Sequence, residues 1–161
     1  MNKFGHLLNA AFLAVGLGVI LQPTLDAETA RTIASVSLPV VLGALLPDAD
    51  TAFGRHRKTL HNLFVLGIVL AYPAFFDNLR YVWIGVATHF VLDFFGSKRG
   101  LALLYPLSEQ EFGSPTGVTT SSKYAPVVTV VVSAVELAAA AAIVQFAPPE
   151  AVRAWSAVVA Q

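Results

Sequence analysis

Long runs of apolar residues constrain this chain more than any other feature of its sequence. Five such runs lie at 4–21, 29–46, 60–76, 81–95 and 124–146. About 20 apolar residues in a helix cross the roughly 30 Å hydrocarbon core of a bilayer, where each backbone polar group must be bonded within the protein. The valines around Thr129 favour a strand by propensity, but an isolated strand would leave its edges unbonded in lipid. The sequence therefore predicts an all-α, polytopic membrane helix bundle with about five transmembrane helices.

The same pattern predicts one domain and a short tail. Residues 1–147 form the predicted transmembrane domain, and residues 148–161 are predicted to form a short helix on the membrane interface, with Trp155 among alanines and valines. Lys3 precedes the first apolar run as in a signal peptide, but no clear small-residue cleavage site precedes Asp26. We therefore interpret the first run as a retained anchor.

Composition narrows the possible function classes. Only 12% of the residues are charged, whereas soluble domains average about 25%, so a typical cytosolic domain is excluded. The ten basic and ten acidic residues cancel, so no basic field is available to hold nucleic acid, and we expect no nucleic-acid partner. The chain has no cysteine, which leaves any metal or acid–base chemistry to histidine, aspartate and glutamate.

Basic residues predict the orientation of the bundle, because they concentrate in short cytoplasmic loops. Three of them, Arg31, Arg80 and Arg153, fall on one predicted side. The other side carries seven: Lys3, Arg55, Arg57, Lys58, Lys98, Arg99 and Lys123. The sequence thus predicts a multi-pass protein of the inner (plasma) membrane with its N-terminus in the cytoplasm.

Ionisable residues that do not suit a membrane interior map to the same cytoplasmic half. Asp48 and Asp50 follow Pro47, and because proline disfavours helix at the preceding residue, we predict an extended segment with both carboxylates on one side. His89 and Asp93 are four residues apart and share a helix face. The complete set comprises all four histidines and three of the five aspartates: His6, Asp48, Asp50, His56, His61, His89 and Asp93.

These seven residues together predict a metal site. Neutral imidazoles and carboxylates bind divalent metals, and burying several ionisable groups in lipid is costly unless a cation or a partner compensates them. Seven groups suffice for one ion with supporting hydrogen bonds or for two ions. Zinc is the favoured metal, with manganese and magnesium as alternatives.

Each feature taken alone has a simpler explanation. A single histidine at a helix end is more often a capping or interfacial residue than a ligand. Pro-Asp-x-Asp is usually a turn, and the pair His89 and Asp93 would also suit a hydrogen bond between helices. The basic cluster at 55–58 is typical of a topology signal as well as of a phosphate contact.

Three glutamates lie apart from this set. Glu136 falls in the middle of the last apolar run, where we predict a protonated side chain bonded to another helix, with a proton path or a substrate contact as the alternative. Glu109 and Glu111 belong to the long loop before that run. We expect both on a solvated loop face, the alternative being that they reach back over the site.

The order and spacing of these motifs resemble a known family. The motifs are His6, Leu-Pro-Asp48-Ala-Asp50, Gly54-Arg55-His56-Arg57, Thr59-Leu60-His61, His89-Phe-Val-Leu-Asp93 and Gly100-Leu-Ala-Leu-Leu-Tyr-Pro106. Over roughly residues 1 to 112 the chain resembles the membrane-bound metal-dependent hydrolases that include the LexA-regulated inner-membrane protein YdjM. The resemblance implies a metal-dependent hydrolase whose polar signature is the seven residues above. Asn62 departs from the pattern, since members often have serine there, and this affects no proposed ligand.

The expected activity is hydrolysis of an ester or phosphoester bond in a lipid-like substrate, by a phospholipase or a lipid-phosphate phosphoesterase. Metal coordination lowers the pKa of a bound water from 15.7 to about 7 and polarises a phosphoryl or acyl oxygen. Asp50 or Asp93 is the candidate proton acceptor. The candidate phosphate contacts are Arg55, Arg57, Lys58 and Lys98.

Three other functions fit the same residues. One is metal-dependent cleavage of an amide or ester in a membrane substrate, although the His-Glu-x-x-His motif of common zinc proteases is absent from the sequence. Another is a transporter or channel in which the cluster binds a passing ion, although no inverted repeat is evident. The third is a structural metal that locks the bundle, which would have a closed rather than an open coordination shell.

Overall fold

The chain folds as a bundle of helices. The computed structural model describes residues 1–76, 80–148 and 150. The described residues form no strand of regular length, only two isolated bridges, Ser97 with Val118 and Leu101 with Phe112. The α-helices are α1 Lys3–Leu21, α2 Ala27–Leu45, α3 Leu63–Ala71, α4 Pro73–Phe76, α5 Val82–Gly96 and α6 Ala125–Phe146. The predicted all-α class is confirmed.

The helices differ in how well their lengths suit a membrane. Three helical segments are long and apolar enough to cross one: Lys3–Leu21, Ala27–Ala52 and Ala125–Phe146. Two apolar segments are shorter, Leu63–Phe75 and Val82–Gly96. The predicted third span at 60–76 thus begins later, because Asn62 caps its first turn by accepting from the backbone N–H of Val65. The predicted interfacial helix at 148–161 falls almost wholly outside the described residues.

Polar caps fix where the long helices begin. The side chain of Asn2 accepts a hydrogen bond from the backbone N–H of Gly5 at the start of α1, at 2.8 Å. Asp26 forms a capping box with Thr29 at the start of α2. These side chains satisfy N–H groups that have no partner within the helix, so the chain enters α1 and α2 at defined residues.

The predicted extended segment after α2 is wrong. Leu46 has α-helical dihedral angles, and Pro47 begins a 3-10 helix, Pro47–Ala52. Proline suits the first position of a helical turn because its missing N–H would have had no helical partner there. Asp48 and Asp50 therefore project from one tight turn, and both are buried.

Close backbone contact between α2 and α5 sets the position of the later histidine. A Cβ atom on Gly43 would overlap the carbonyl oxygen of Val82, and one on Gly85 would lie 2.6 Å from the backbone nitrogen of Ala44. Small residues of this kind let membrane helices approach closely. The approach brings the His89 ring, one turn beyond Gly85, against the α2 backbone.

Helix α6 shows the polarity expected of a membrane bundle. Its large apolar side chains face outward, with Val127, Val131 and Val135 more than half exposed. Thr129 and Ser133 on its opposite face are buried against the bundle. An apolar exterior over a polar interior suits lipid as the surrounding solvent, which supports the predicted membrane location.

Candidate metal centre

Four separate parts of the chain bring the seven predicted residues together at one end of the bundle. His6 lies in the first turns of α1, and Asp48 and Asp50 lie in the 3-10 helix that follows α2. The connection before α3 supplies His56 and His61, and the C-terminal half of α5 supplies His89 and Asp93. Six of the seven are buried and one is half-buried; that half-buried residue is His56.

Two histidine rings face each other at the centre of the cluster. The Nε2 atoms of His61 and His89 are 3.1 Å apart. His61 Nδ1 lies 2.9 Å from the carboxylate of Asp50, and His89 Nδ1 lies 2.6 Å from the carbonyl oxygen of Ala44. An ionised carboxylate and a carbonyl only accept, so with Asp50 ionised and both rings neutral each Nδ1 donates and carries the ring hydrogen. Both Nε2 atoms then present lone pairs to the same point.

Two carboxylate oxygens complete this arrangement. Oδ1 of Asp48 is 3.8 Å from both Nε2 atoms. Oδ2 of Asp93 is 3.9 Å from His61 Nε2 and 3.8 Å from His89 Nε2. Ligand atoms about 2.0–2.1 Å from a tetrahedral zinc ion are roughly 3.3 Å from one another. The nitrogen–nitrogen separation and the four nitrogen–oxygen separations therefore fit the donor set and approximate spacing of a divalent-metal site.

Asp50 stands behind this group of four atoms. One of its oxygens lies 3.0 Å from His56 Nδ1, and the other accepts from His61 Nδ1 and, at 3.3 Å, from the backbone N–H of Leu60. A carboxylate that holds the far nitrogen of a ligating histidine fixes the ring orientation and makes the near nitrogen a stronger donor. The contacts of Asp50 are those of such an orienting group.

The cluster extends on both sides of the central pair. His6 stacks on His89 with ring centroids 3.6 Å apart, and its Nε2 lies 3.4 Å from Asp93. Within the described residues neither ring nitrogen of His6 has a hydrogen-bond partner. His6, His89 and Asp93 form one group able to hold an ion, and a second group contains Asp48, His56 and His61. The geometry thus accommodates one or two ions.

Two cations contact Asp93, and neither role followed from the sequence. The amino group of Met1 donates to its carboxylate, and Arg57 Nη2 lies 3.2 Å from it. Arg57 is buried, also donates to Ser97 Oγ, and has a left-handed φ of 68° that a non-glycine residue rarely adopts. The position of Arg57 between His56 and His61 in the sequence was the available signal for a role in the cluster. The charge pattern, however, indicated only membrane topology or phosphate binding.

The other predicted phosphate contacts separate into two places. Arg55 and Lys58 both pair with Glu109, whose carboxylate lies 3.1 Å from Arg55 Nη2 and 3.0 Å from Lys58 Nζ. Arg55 and Lys58 hold the pKa of Glu109 down to about 2 through these hydrogen bonds. Glu109 and Glu111 are both exposed, as expected of a solvated loop face, and Glu109 joins its loop to the segment that carries Arg55 and Lys58. Lys98 is exposed and lines a pocket together with Arg57.

Glu136 lies away from the metal cluster and contacts another helix. Asn9 of α1 donates from Nδ2 to Glu136 Oε2 at 2.6 Å and to Ser133 Oγ at 2.9 Å. Glu136 thus accepts a hydrogen bond from another helix, which joins α6 to α1; the predicted contact between helices is present.

Comparison with known proteins identifies the family of this chain. No curated protein and no solved structure matches the chain. The model of the YdjM inner membrane protein family matches residues 1–160, nearly the whole sequence. With this match and its apolar helices, the chain belongs to the YdjM inner membrane protein family and is a membrane protein.

Proposed function

We propose that this protein is an integral membrane metal-dependent hydrolase that cleaves an ester or phosphoester bond of a lipid-like substrate. The facing Nε2 atoms of His61 and His89 carry the proposal. Two lone pairs 3.1 Å apart repel each other unless a cation lies between them. A metal ion satisfies both nitrogens and the adjacent carboxylates of Asp48 and Asp93, whereas a shared proton satisfies only the two nitrogens.

Zinc is the favoured ion because two imidazoles and two carboxylates suit it, and manganese and magnesium are the alternatives. When bound, such an ion supplies a Lewis acid and a water of lowered pKa. In the hydrolysis, the oxygen of water forms a bond to the phosphorus or acyl carbon of the substrate. The bond between that atom and the ester oxygen breaks, and the ester oxygen gains a proton and leaves as an alcohol.

Asp50 is the better placed of the two candidate proton acceptors. Asp93 is held between the Met1 amino group and Arg57, so its carboxylate is already engaged by two cations. The hydrogen bonds to Asp50 come from His56, His61 and a backbone N–H. We propose that Asp50 orients His61 and takes the proton through His56, whose Nδ1 contacts Asp50.

The depth of the cluster supports a lipid-like substrate. His6 is near the start of α1, Asp48 just follows α2, and Asp93 lies one turn before the end of α5. These three positions share one end of the bundle, and thus one membrane interface. A lipid whose acyl chains stay in the bilayer would present its head group at this level. We propose from the positive-inside pattern that this is the cytoplasmic interface.

Partial exposure of His56 favours catalysis over a structural metal. Its side chain is 35% exposed, while those of His61 and His89 are fully buried. A structural site closes its coordination shell, whereas a catalytic site keeps one position open to water and substrate. The cluster is open on the side of His56.

Metal analysis of the protein purified without chelator tests the proposal. We expect one or two equivalents of zinc or manganese, lost in His89→Ala and in Asp48→Ala. Glu111→Gln is the matched control, because Glu111 is an exposed carboxylate of the neighbouring loop. Turnover of phospholipids and lipid phosphates is then screened on the metal-loaded protein. Protein that binds no metal even after metal is added back would overturn the proposal and leave a protonated histidine pair that packs the helices.

A further inference from the structure

A pocket of about 250 Å³ adjoins the candidate metal centre. Met1, His56 and Arg57 form the side of the pocket nearest the cluster. Each of them contacts a cluster carboxylate: the Met1 amino group and Arg57 contact Asp93, and His56 contacts Asp50. A group bound in the pocket would therefore lie next to the metal-binding residues and outside the apolar core.

Two residues that line the pocket carry positive charge that no carboxylate among the described residues offsets. Lys98 and Arg99 line it and are exposed. Within the described part of the chain, neither residue forms an ion pair, and no acidic residue lines the pocket. The other basic pair, Arg55 and Lys58, shares the single carboxylate of Glu109, which offsets one of its two charges. In the chain as described, Lys98 and Arg99 are therefore the basic residues beside the cluster whose charges are both unpaired.

Hydroxyl groups complete the lining and are held in place by the backbone. Thr119 and Thr120 line the pocket together with Lys98 and Arg99. The N–H of Lys98 donates to the carbonyl of Val118 at 3.2 Å, which ties the threonine segment to the end of α5. A Cβ on Gly117 would overlap the backbone of Ser97, so this contact depends on glycine. The backbone next to these threonines is thus fixed against the end of α5.

We infer that this pocket binds the phosphate group of the substrate, with Lys98 and Arg99 supplying charge and Thr119 and Thr120 supplying hydrogen bonds. This rests on the proposed function and narrows its substrate to one that bears a phosphate. Guanidinium, ammonium and hydroxyl groups are the usual partners of phosphate oxygens. The pocket is smaller than the roughly 300–1,000 Å³ of sites for drug-sized ligands, so it holds a phosphate with a small head group and leaves acyl chains in the bilayer.

Phosphate binding by the full-length protein in phosphatidylcholine nanodiscs tests the inference. The two probes are inorganic phosphate and phosphatidate included in the nanodisc. We expect Lys98→Gln with Arg99→Gln to weaken binding at least tenfold. The charge-matched control, Lys3→Gln with Lys123→Gln, is expected to change binding less than twofold, because these residues lie outside the pocket.

The rival pair Arg55→Gln with Lys58→Gln decides between the two basic sites. The inference would be overturned if the Arg55 and Lys58 variant bound phosphate more weakly while the Lys98 and Arg99 variant bound it normally. Wild-type protein that binds neither probe would also overturn it. If phosphatidate binds and inorganic phosphate does not compete, the ligand is a lipid head group; equal competition identifies free phosphate chemistry. Metal content is measured on every variant, so a failed metal site is recognised separately from a failed phosphate site.

Discussion

Asp50 offers the sharpest test of how the cluster works, because it can be changed without changing its shape. Asp50→Asn keeps the volume but replaces one acceptor oxygen with an NH₂ donor. Asp50 now contacts three donors: His56 Nδ1, His61 Nδ1 and the N–H of Leu60. An amide has one acceptor oxygen, so one contact must be lost or its histidine must change tautomer.

The amide introduced by Asp50→Asn can be oriented in two ways, and both weaken metal binding. If the NH₂ group faces His61, that ring must accept at Nδ1 and carry its hydrogen on Nε2, which removes a proposed metal-binding lone pair. If it faces His56, His61 keeps its tautomer but loses the charge that strengthens its Nε2 atom. Removing such a supporting partner typically costs 10–100-fold in metal affinity, or about 1.4–2.7 kcal/mol.

The assay is competition for zinc against a chelator of known affinity, at matched folded protein. We expect Asp50→Asn to bind zinc 10–100-fold more weakly and to lose metal-dependent turnover, with Asp48→Ala weaker still because Asp48 is a proposed direct ligand. Asp50→Ala is less informative because leaving buried donors unpaired costs about 1–3 kcal/mol each and endangers folding. Wild-type zinc affinity in Asp50→Asn would refute the orienting role of Asp50.

Other predictions follow from contacts outside the metal cluster. Gly85→Ala should cost about 1–3 kcal/mol of stability and weaken metal binding, because α5 must move away from α2. The control is Gly67→Ala, which has open space around it and should change thermal unfolding little. Glu136→Gln should unfold like the wild type, and Glu136→Leu should lose about 1 kcal/mol with the Asn9 contact; equal melting of the two variants would contradict this. The lowered pKa of Glu109 predicts that its ion pairs stabilise the fold above pH 4.5 and lose this effect as the pH falls towards 2. Glu109→Gln should therefore flatten the pH dependence of the melting temperature between these values.

Local patterns in the sequence predicted the long helices well. The first and last runs, 4–21 and 124–146, agree within one residue with Lys3–Leu21 and Ala125–Phe146. The length of an apolar run decides such a helix, because lipid leaves the backbone no other way to bond. The helix around 60–76 was less predictable, since Asn62 and Pro73 decide its ends, and a cap operates within a single turn.

The candidate site was predictable in membership but not in the role of each residue. Ionisable residues are costly to bury in an apolar chain and therefore stand out in its sequence. All seven members of the cluster could be identified in this way. Their partners depend on contacts between distant segments: Arg57 contacts Asp93 of α5, and Glu109 pairs with Arg55. Spacing along the chain does not determine which basic residue meets which carboxylate when the loops that carry them cross.

The division of the basic residues has a physical consequence for the site. The Met1 amino group and Arg57 compensate Asp93, and Arg55 and Lys58 compensate Glu109, which leaves Lys98 and Arg99 as the free charges beside the cluster. A substrate phosphate would therefore gain most by binding on the Lys98 side, because the Arg55 side would first have to give up its ion pairs with Glu109. The ion pairs that the basic residues form within the protein thus determine the side from which a phosphate-bearing head group would approach His56.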